Sequence, residues 1–371
     1  MSATCGMIAE VIEKLAPREW AEPWDNVGLL VGRSDQSVEN VLLALDVTPA
    51  VIDEAIERNS GLIISHHPFP FQALKRTRTD SPDGSMMVKL LKEDISLYAA
   101  HTNLDIALGG VNDALAARLS LRDVQILRQR SDALVKIVTF VPRDYEEAVW
   151  LAMSGAGAGC IGGYSECGFR VAGIGTFLPG NDTQPFIGEP NRLSRVEETR
   201  IETVAPAVLA NSIVEALKKA HPYEEVAYDI YPLNNERFIN GLGRIGSLTN
   251  PVAFADFAKQ VRAALDADGV RTVGDLDTLV QRVAVCGGAG MEVAKDALRC
   301  GAQVLVTGDI RYHDAQDALA MGLCLVDAGH FATEFPILTA LQGVLQECSE
   351  TNGWHCRFEV STRQTDIWHW F

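Results

Sequence analysis

VLLALD (41–46), TPAVIDEAIERN (48–59) and GLIISHH (61–67) read as a strand, a helix and a strand. The two strands are nearly unbroken apolar runs, the pattern of parallel strands buried on both faces by helices. The same order returns far down the chain as RVAVCGG (282–288), MEVAKDALRC (291–300) and GAQVLVTGD (301–309). A glycine, Gly61 or Gly301, opens the second strand each time. Each copy then runs into one more short strand, SLYAAH (96–101) or LCLVDAGH (323–330). The outer parts of the chain are therefore expected to form two related α/β halves.

Between them lies a repeat of another kind. VKIVTFVP (135–142) leads into RDYEEAVWLAMSGAG, and FRVAGIGTF (169–177) supplies the next strand. TRIETVAP (199–206) leads into AVLANSIVEALKKA, and EVAYDIYPL (225–233) supplies another. Strand–helix–strand twice, with Pro142 and Pro206 just before or at a helix start, is the split βαβ or ferredoxin-like α+β arrangement. The expected organisation is a first half at 1–127, an inserted domain at 128–238 and a second half at 239–371. Pro179 to Pro190 carries turn chemistry and reads as an exposed loop.

The whole chain has 371 residues, 47% hydrophobic and 22% charged, an ordinary globular balance with room for two or three domains. Its 49 acidic and 32 basic residues give a net charge of −17. Binding to duplex nucleic acid through phosphate contacts usually needs the opposite sign, so that class of partner is not expected. The eight cysteines contain no C-x-x-C pair and read as scattered core residues of a reducing compartment. Glu10 and Glu13 interrupt the first segment before a signal-peptide core can form. The longest uncharged stretch, Ala148 to Ser165, holds five glycines from Gly155 onward and reads as a helix end plus a loop. A soluble cytoplasmic protein without a membrane span is the expectation.

His66, His67, His101 and His330 fall at or just beyond the carboxyl ends of expected strands, where open α/β sheets gather their functional groups. Acids accompany them at short spacing: Asp105 four residues after His101, and Glu334 four after His330. His313 follows Asp309 at the same separation. Imidazole with carboxylate suits Zn, Mn, Fe, Ni or Co, and the lack of thiolate pairs argues against a structural zinc site. One histidine at a strand end is commonly a hydrogen-bonded structural residue. Four of them with carboxylates, at equivalent ends of two related halves, point to metal. In a regular strand His66 and His67 would face opposite ways, but Pro68 ends pairing just after them, so both rings can reach one cleft. Were two ions ~3.5–4 Å apart, consecutive histidines could take one each, with a carboxylate bridging. Pro336 marks the first turn of a helix, which leaves His330 and Glu334 in the loop before it.

The phrases EPWDNVGLLVG (22–32), ISHHPFPFQALKR (64–76), AAHTNLDIALGGVNDALA (99–116) and GDIRYHDAQDALAMGLCLVDAGHFATE (308–334) resemble the NIF-three-like dinuclear metal centre family. Many of its members are named as GTP cyclohydrolase 1 type 2-like proteins. The middle segment, with GAGCIGGYSECGF, GTFLPG and HPYEEVAYDIYPL, is similar to the PII/CutA-like insert of the longer bacterial members. The resemblance implies two divalent ions held by His66, His67, Asp105, His330 and Glu334. It gives His101 and His313 supporting or substrate-facing roles, which makes them the candidate catalytic residues. It also implies a toroidal homohexamer whose metal sites face an internal cavity, and a nucleotide substrate.

Three other motifs invite a reading. VAVCGGAGM (283–291) fails the G-x-G-x-x-G register and reads as a tight turn between strand and helix. Lys75, Arg76 and Arg78 form a basic run that is either solvated or able to receive phosphate. HPYEE (221–225) follows a helix and reads as a turn. Two function classes stay open: a metal-dependent hydrolase acting on a nucleotide, and a non-catalytic metal-binding or regulatory hexamer. Ligands for catalysis and ligands for binding look alike in a sequence.

Overall fold

The computed structural model describes residues 2–72, 76–161 and 164–369, with the backbone alone at 131–133 and 235–239. Lys75 of the basic run thus lies outside the described residues. The chain divides into two compact units, 1–130 together with 240–371, and 131–239.

The first half of the first unit contributes β1 (Gly28–Val31), β2 (Asn40–Ala44), β3 (Leu62–Ser65) and β4 (Ser96–Ala99). Its helices are α1 (Cys5–Leu15), α2 (Pro49–Glu57), α3 (Pro82–Lys92), α4 (Thr102–Ile106) and α5 (Val111–Arg118). Strands β2, β3 and β4 run parallel, and β1 lies antiparallel beside β4. Helix α2 starts where chemistry demands: Thr48 accepts from the Val51 N–H at 3.2 Å, and Pro49 takes the first helical position. Side chains along a strand alternate faces. Val41, Leu43 and Ile64 accordingly pack with Ile8, Ile12 and Leu341, while Leu42, Ala44 and Ile63 pack with Val51, Ile52 and Leu90. Two apolar faces per strand explain the continuous hydrophobic runs.

The second unit is built from parts of β5 (Arg122–Pro142) and β8 (Tyr228–Ala253), with α6 (Glu146–Gly155), β6 (Gly168–Phe177), β7 (Ser194–Pro206) and α7 (Ala210–Ala220) between. Its strand order is β8-β5-β7-β6, with β7 antiparallel to both β5 and β6. Val135, Ile137 and Ile201 from the sheet bury Val149, Trp150, Ile213 and Leu217 from the two helices.

The second half of the first unit adds α8 (Phe254–Ala264), β9 (Arg271–Val273), β10 (Leu279–Val285), α9 (Ala294–Arg299) and β11 (Val304–Thr307). It continues through α10 (Tyr312–Ala320), β12 (Cys324–Asp327), α11 (His330–Glu334), α12 (Pro336–Thr351) and β13 (Arg357–Val360). Strands β10, β11 and β12 are parallel and β9 is antiparallel beside β12. That is the β2-β3-β4-β1 order of the first half over again. Strand β13 returns to the first sheet, parallel to β2.

Arg244 ties the halves together. Its buried guanidinium donates to Asp113 Oδ1 and Oδ2 at 2.9 and 2.7 Å, and to the carbonyls of Ala107, Gly241 and Gly243. Every face of this charge is met, which a buried ion needs if it is not to cost more than it contributes.

One expectation is corrected. His330 and Glu334 do not lie in a loop before α12; they begin and end the short helix α11. Gly329, at φ +87°, makes the sharp turn into it, and the Thr333 hydroxyl closes it by donating to the Gly329 carbonyl at 2.8 Å.

Candidate metal centre

Each half-sheet ends in residues that turn toward one cluster. His66 and His67 follow β3 directly, His101 stands at the start of α4 after β4, and α11 after β12 carries His330 and Glu334. The His66 and His67 ring centroids lie 5.0 Å apart, and His67 lies 5.3 Å from His330. His101 is 5.2 Å from His66 and 5.4 Å from His67. The pairing ends at Ser65, so the adjacent imidazoles escape the alternation of a strand.

Every one of these rings is held by its Nδ1. His66 Nδ1 lies 2.8 Å from the Ala100 carbonyl, His67 Nδ1 2.9 Å from Asp46, His101 Nδ1 2.9 Å from Asp25 and His330 Nδ1 2.7 Å from Asp309. A carbonyl or carboxylate at Nδ1 fixes the tautomer and leaves Nε2 as a free donor atom for a cation. His66 Nε2 is 3.5 Å from Asp105 and 3.7 Å from Glu334. His67 Nε2 and His330 Nε2 lie 3.2 and 3.1 Å from the two oxygens of Glu334, and 3.3 Å from each other. Three groups of side chains could each hold an ion: His66, His67 and His101; His67, His330 and Glu334; His66, Asp105 and Glu334.

The electrostatics are those of a cation site. Burial drives the His66 pKa down, but the Glu334 and Asp105 carboxylates override it and hold it above the usual value. Burial likewise opposes Asp46 and Glu334 at His67, which still rises to about 10. The Glu334 hydrogen bond lifts His330 to about 9. Burial would raise Glu334, yet the imidazoles of His66, His330 and His67 hold it well below the carboxylate range. Asp105 goes the other way, pushed up by burial and further by Glu334. His66 Nε2 and Glu334 Oε2 are buried without a hydrogen-bond partner among the described residues. Buried polar atoms are rarely left so, and a coordinated cation would satisfy both.

Sequence reasoning named His66, His67, His101, Asp105, His330 and Glu334, and these six come together. His313 does not join them: it sits on α10 with Nδ1 3.2 Å from Gln316 and belongs to none of the three groups. Asp309, its expected companion, turns to His330 instead. Arg78 is engaged by Asp80 at 2.8 Å. The orienting acids Asp25, Asp46 and Asp309 went unnamed as a set, although two of them, Asp46 and Asp309, follow strand ends like the histidines. Asn112 was also missed; its amide donates to the Asp105 carbonyl at 2.8 Å and accepts from the Gly287 N–H at 3.0 Å. The CGG turn has a use too. At Gly288, φ +61°, a Cβ would stand 2.3 Å from Glu334 Oε1, so only glycine admits the carboxylate there. Trp24 and Phe71, 60% and 50% exposed, stand 6.0 Å apart, and each ring centroid lies 6.0 Å from that of His101.

Paired half-sheets that bring imidazoles and carboxylates into groups fit for metal ions define a class, the α/β protein with a candidate multinuclear centre. Within that class the chain belongs to the Duf34/NIF3 (NGG1p interacting factor 3) family, whose model matches residues 3–367. A Bacillus subtilis relative named GTP cyclohydrolase 1 type 2 homolog is 48% identical over 326 residues, covering 88% of this chain and 87% of its own. The crystal structure of a Bacillus cereus protein related to NIF3 is similar at TM-score 0.82 and 42% identity, with both chains fully covered. Staphylococcus aureus protein SA1388 is similar at TM-score 0.77 and 31% identity, covering 100% of this chain and 99% of its own. Among the described residues no helix is long and apolar enough to cross a membrane.

Proposed function

We propose that this protein is a metal-dependent hydrolase with a dinuclear centre that acts on a nucleotide. His66 and Asp105 would hold one ion, His67 and His330 the other, and Glu334 would stand between them. The observation that carries this reading is a pair of buried atoms that make no hydrogen bond among the described residues, His66 Nε2 and Glu334 Oε2, set only 3.2–3.7 Å from other ligand atoms of the cluster. Bound there, two divalent ions (Zn, Mn, Fe, Ni or Co) would lower the pKa of a water toward neutrality and polarise the substrate. His101, oriented by Asp25, is the imidazole best placed to hold or pass a proton beside the ligands. Burial alone would raise Asp25, yet its bonds from His101 and Thr102 pull it to about 2, so that anchor stays charged at any working pH. His313, whose ring is taken by Gln316, keeps only a substrate-facing part.

Two features support a nucleotide. The exposed Trp24 and Phe71 rings beside His101 form a platform for a planar base. The names of the relatives point to GTP, and the candidate reaction is hydrolytic opening of its imidazole ring with release of C8 as formate. The family resemblance further supports a toroidal homohexamer. The strand order β8-β5-β7-β6 supports reading the insert, 128–238, as a ferredoxin-like PII/CutA-type domain. The scattered cysteines, with no C-x-x-C pair, fit a cytoplasmic setting.

The test is metal analysis of protein purified without chelator, then formate release from GTP after loading with each metal in turn. Less than about half an equivalent of metal in folded, reconstituted protein would sink the dinuclear centre. Full loading without turnover of GTP or a panel of phosphoesters would leave a metal-binding or regulatory protein, and a mass measurement reads the hexamer separately.

A further inference from the structure

The second unit holds a cavity of about 650 Å³, well apart in sequence from the histidine cluster. That is the size of a small-molecule site. Its walls are mostly apolar, with Val171, Phe177, Leu178, Phe186 and Ile187 contributed by β6 and the loop after it. The loop is tied down: the Gln184 N–H donates to Glu224 at 3.0 Å, and the Phe186 ring meets Tyr145 and Tyr223 with centroids 5.6 and 6.3 Å away.

Glu198, Arg200, Glu224 and Glu225 are the charged residues of its lining, and of these Glu198 is the buried one. Glu198 on β7 is only 8% exposed and lines the cavity. Its Oε1 accepts from the Tyr223 hydroxyl at 2.8 Å. Tyr223 is itself set by the HPYEE turn: its N–H donates to His221 Nδ1 at 3.1 Å, and His221 Nε2 donates to the Phe140 carbonyl at 3.0 Å. The turn is thus a clamp that aims a carboxylate. The other oxygen, Oε2, lies over Gly175, where a Cβ would stand 1.9 Å away. No hydrogen bond reaches Oε2 and no cation pairs with Glu198 among the described residues. The nearby Arg200 is turned to Glu202 at 3.0 Å. Oε2 is thus an acceptor open to the cavity, where a cationic N–H donor could make a charge-assisted hydrogen bond.

We propose that this cavity is a binding site for a small organic cation, an amine or amidine group carried on an apolar or aromatic body. The charged group meets Glu198 Oε2, and the body packs among Phe177, Phe186 and Tyr223, whose ring faces also attract positive charge. The neighbouring acids Glu224 and Glu225 add to the negative field at the cavity wall.

The test is calorimetric titration of the full-length, metal-loaded protein with phenethylamine. Saturable binding is expected at one site per chain, at least about tenfold tighter than 3-phenylpropionate, which carries the same ring with the opposite charge. N-acetylphenethylamine, with the charge removed, should bind at least about tenfold more weakly on the unmutated protein. Glu198→Gln keeps the shape and an acceptor for Tyr223 while removing the charge, and should weaken phenethylamine by a similar factor with unchanged circular dichroism. Equal binding of amine and carboxylate overturns the proposal, as does full affinity in Glu198→Gln. Should that variant not fold, the acetylated probe decides alone. No saturable binding up to about 10 mM also overturns it, and slow amide exchange along β6 in the free protein would then assign the face to a second copy of the chain.

Discussion

The two halves of the first unit share a sheet order and differ in what stands at the strand ends. Just after β3 come His66 and His67; just after β11, at the matching positions, come Gly308 and Asp309. After β4 the chain enters α4 through His101, and after β12 it enters α11 through Gly329. The first half therefore presents its imidazoles on strand ends, and the second presents His330 and Glu334 on a helical turn. Sterics explain the asymmetry. A Cβ at Gly308 would come within 2.7 Å of the Gly329 carbonyl carbon and the His330 nitrogen, so the α11 backbone fills the space a side chain would take. The duplicated scaffold fixes where functional groups can stand, and local backbone decides which half supplies which atom.

The comparison breaks most completely at Glu334, the second-half residue that touches His66, His67 and His330. Glu334→Ala should lose both ions, leaving under about 0.5 equivalents by elemental analysis. His330→Ala, which spares the His66 and Asp105 pair, should keep about one. Equal retention in both variants would show that Glu334 is not shared between the ions.

Protonation gives the next largest effect. In the metal-free protein His67 and His330 keep their protons up to about pH 10 and 9, against 6.5 for an ordinary histidine. The folded pKa is raised, so this contribution to stability is complete below about 6.5 and is lost as the pH climbs through 9 and 10. A metal must displace these protons, so its apparent affinity should rise with pH, by about tenfold per unit for each proton released. Titrations in buffers of different ionisation enthalpy count those protons. A pH-independent affinity from about pH 6 to about pH 8 would mean the rings bind metal without competition.

A smaller effect sharpens the comparison between halves. Asp46→Asn orients His67 less well in the first half, and Asp309→Asn does the same to His330 in the second. Losing such an orienting acid typically costs about 10–100-fold in metal affinity. Matched losses, read by competition with a chromophoric chelator, would mean that the halves support their ligands equally despite their different backbones.

Much of this was legible in the sequence, for identifiable reasons. Buried parallel strands are written as apolar runs, and VLLALD, GLIIS and QVLVT each became one. His66, His67, His101 and His330 stood out because they fall at strand ends, with Asp105 and Glu334 four residues after two of them; the five-residue ligand set itself was what the family resemblance implied. What the sequence did not disclose depended on contacts between distant segments. Asp25 reaches His101 across 76 positions, and Arg244 reaches Asp113 across 131. The helical turn at His330 was hidden by Pro336, which marks the start of α12 and gives no sign of a helix just before it. His313 shows the converse: its i, i+4 spacing from Asp309 imitated the pattern of His330 and Glu334, but Asp309 turned away.

The smallest effect concerns the rings beside the cluster. Trp24 in the first half stands by His101, whereas Tyr312 in the second meets His313, 5.6 Å between centroids, outside the three ligand groups. Both are exposed, at 60% and 73%, so neither substitution should change stability by more than about 0.5 kcal/mol. Stacking of a base on an open aromatic platform contributes ~1 kcal/mol, which corresponds to about fivefold in affinity. Trp24→Ala should therefore raise the Kd of the metal-loaded protein for GTP about fivefold, while Tyr312→Ala leaves it unchanged. Equilibrium dialysis reads both without requiring turnover. If Tyr312→Ala weakens binding instead, the substrate extends over α10, His313 regains a place in contact with it, and the second half supplies the recognition that we assign to the first.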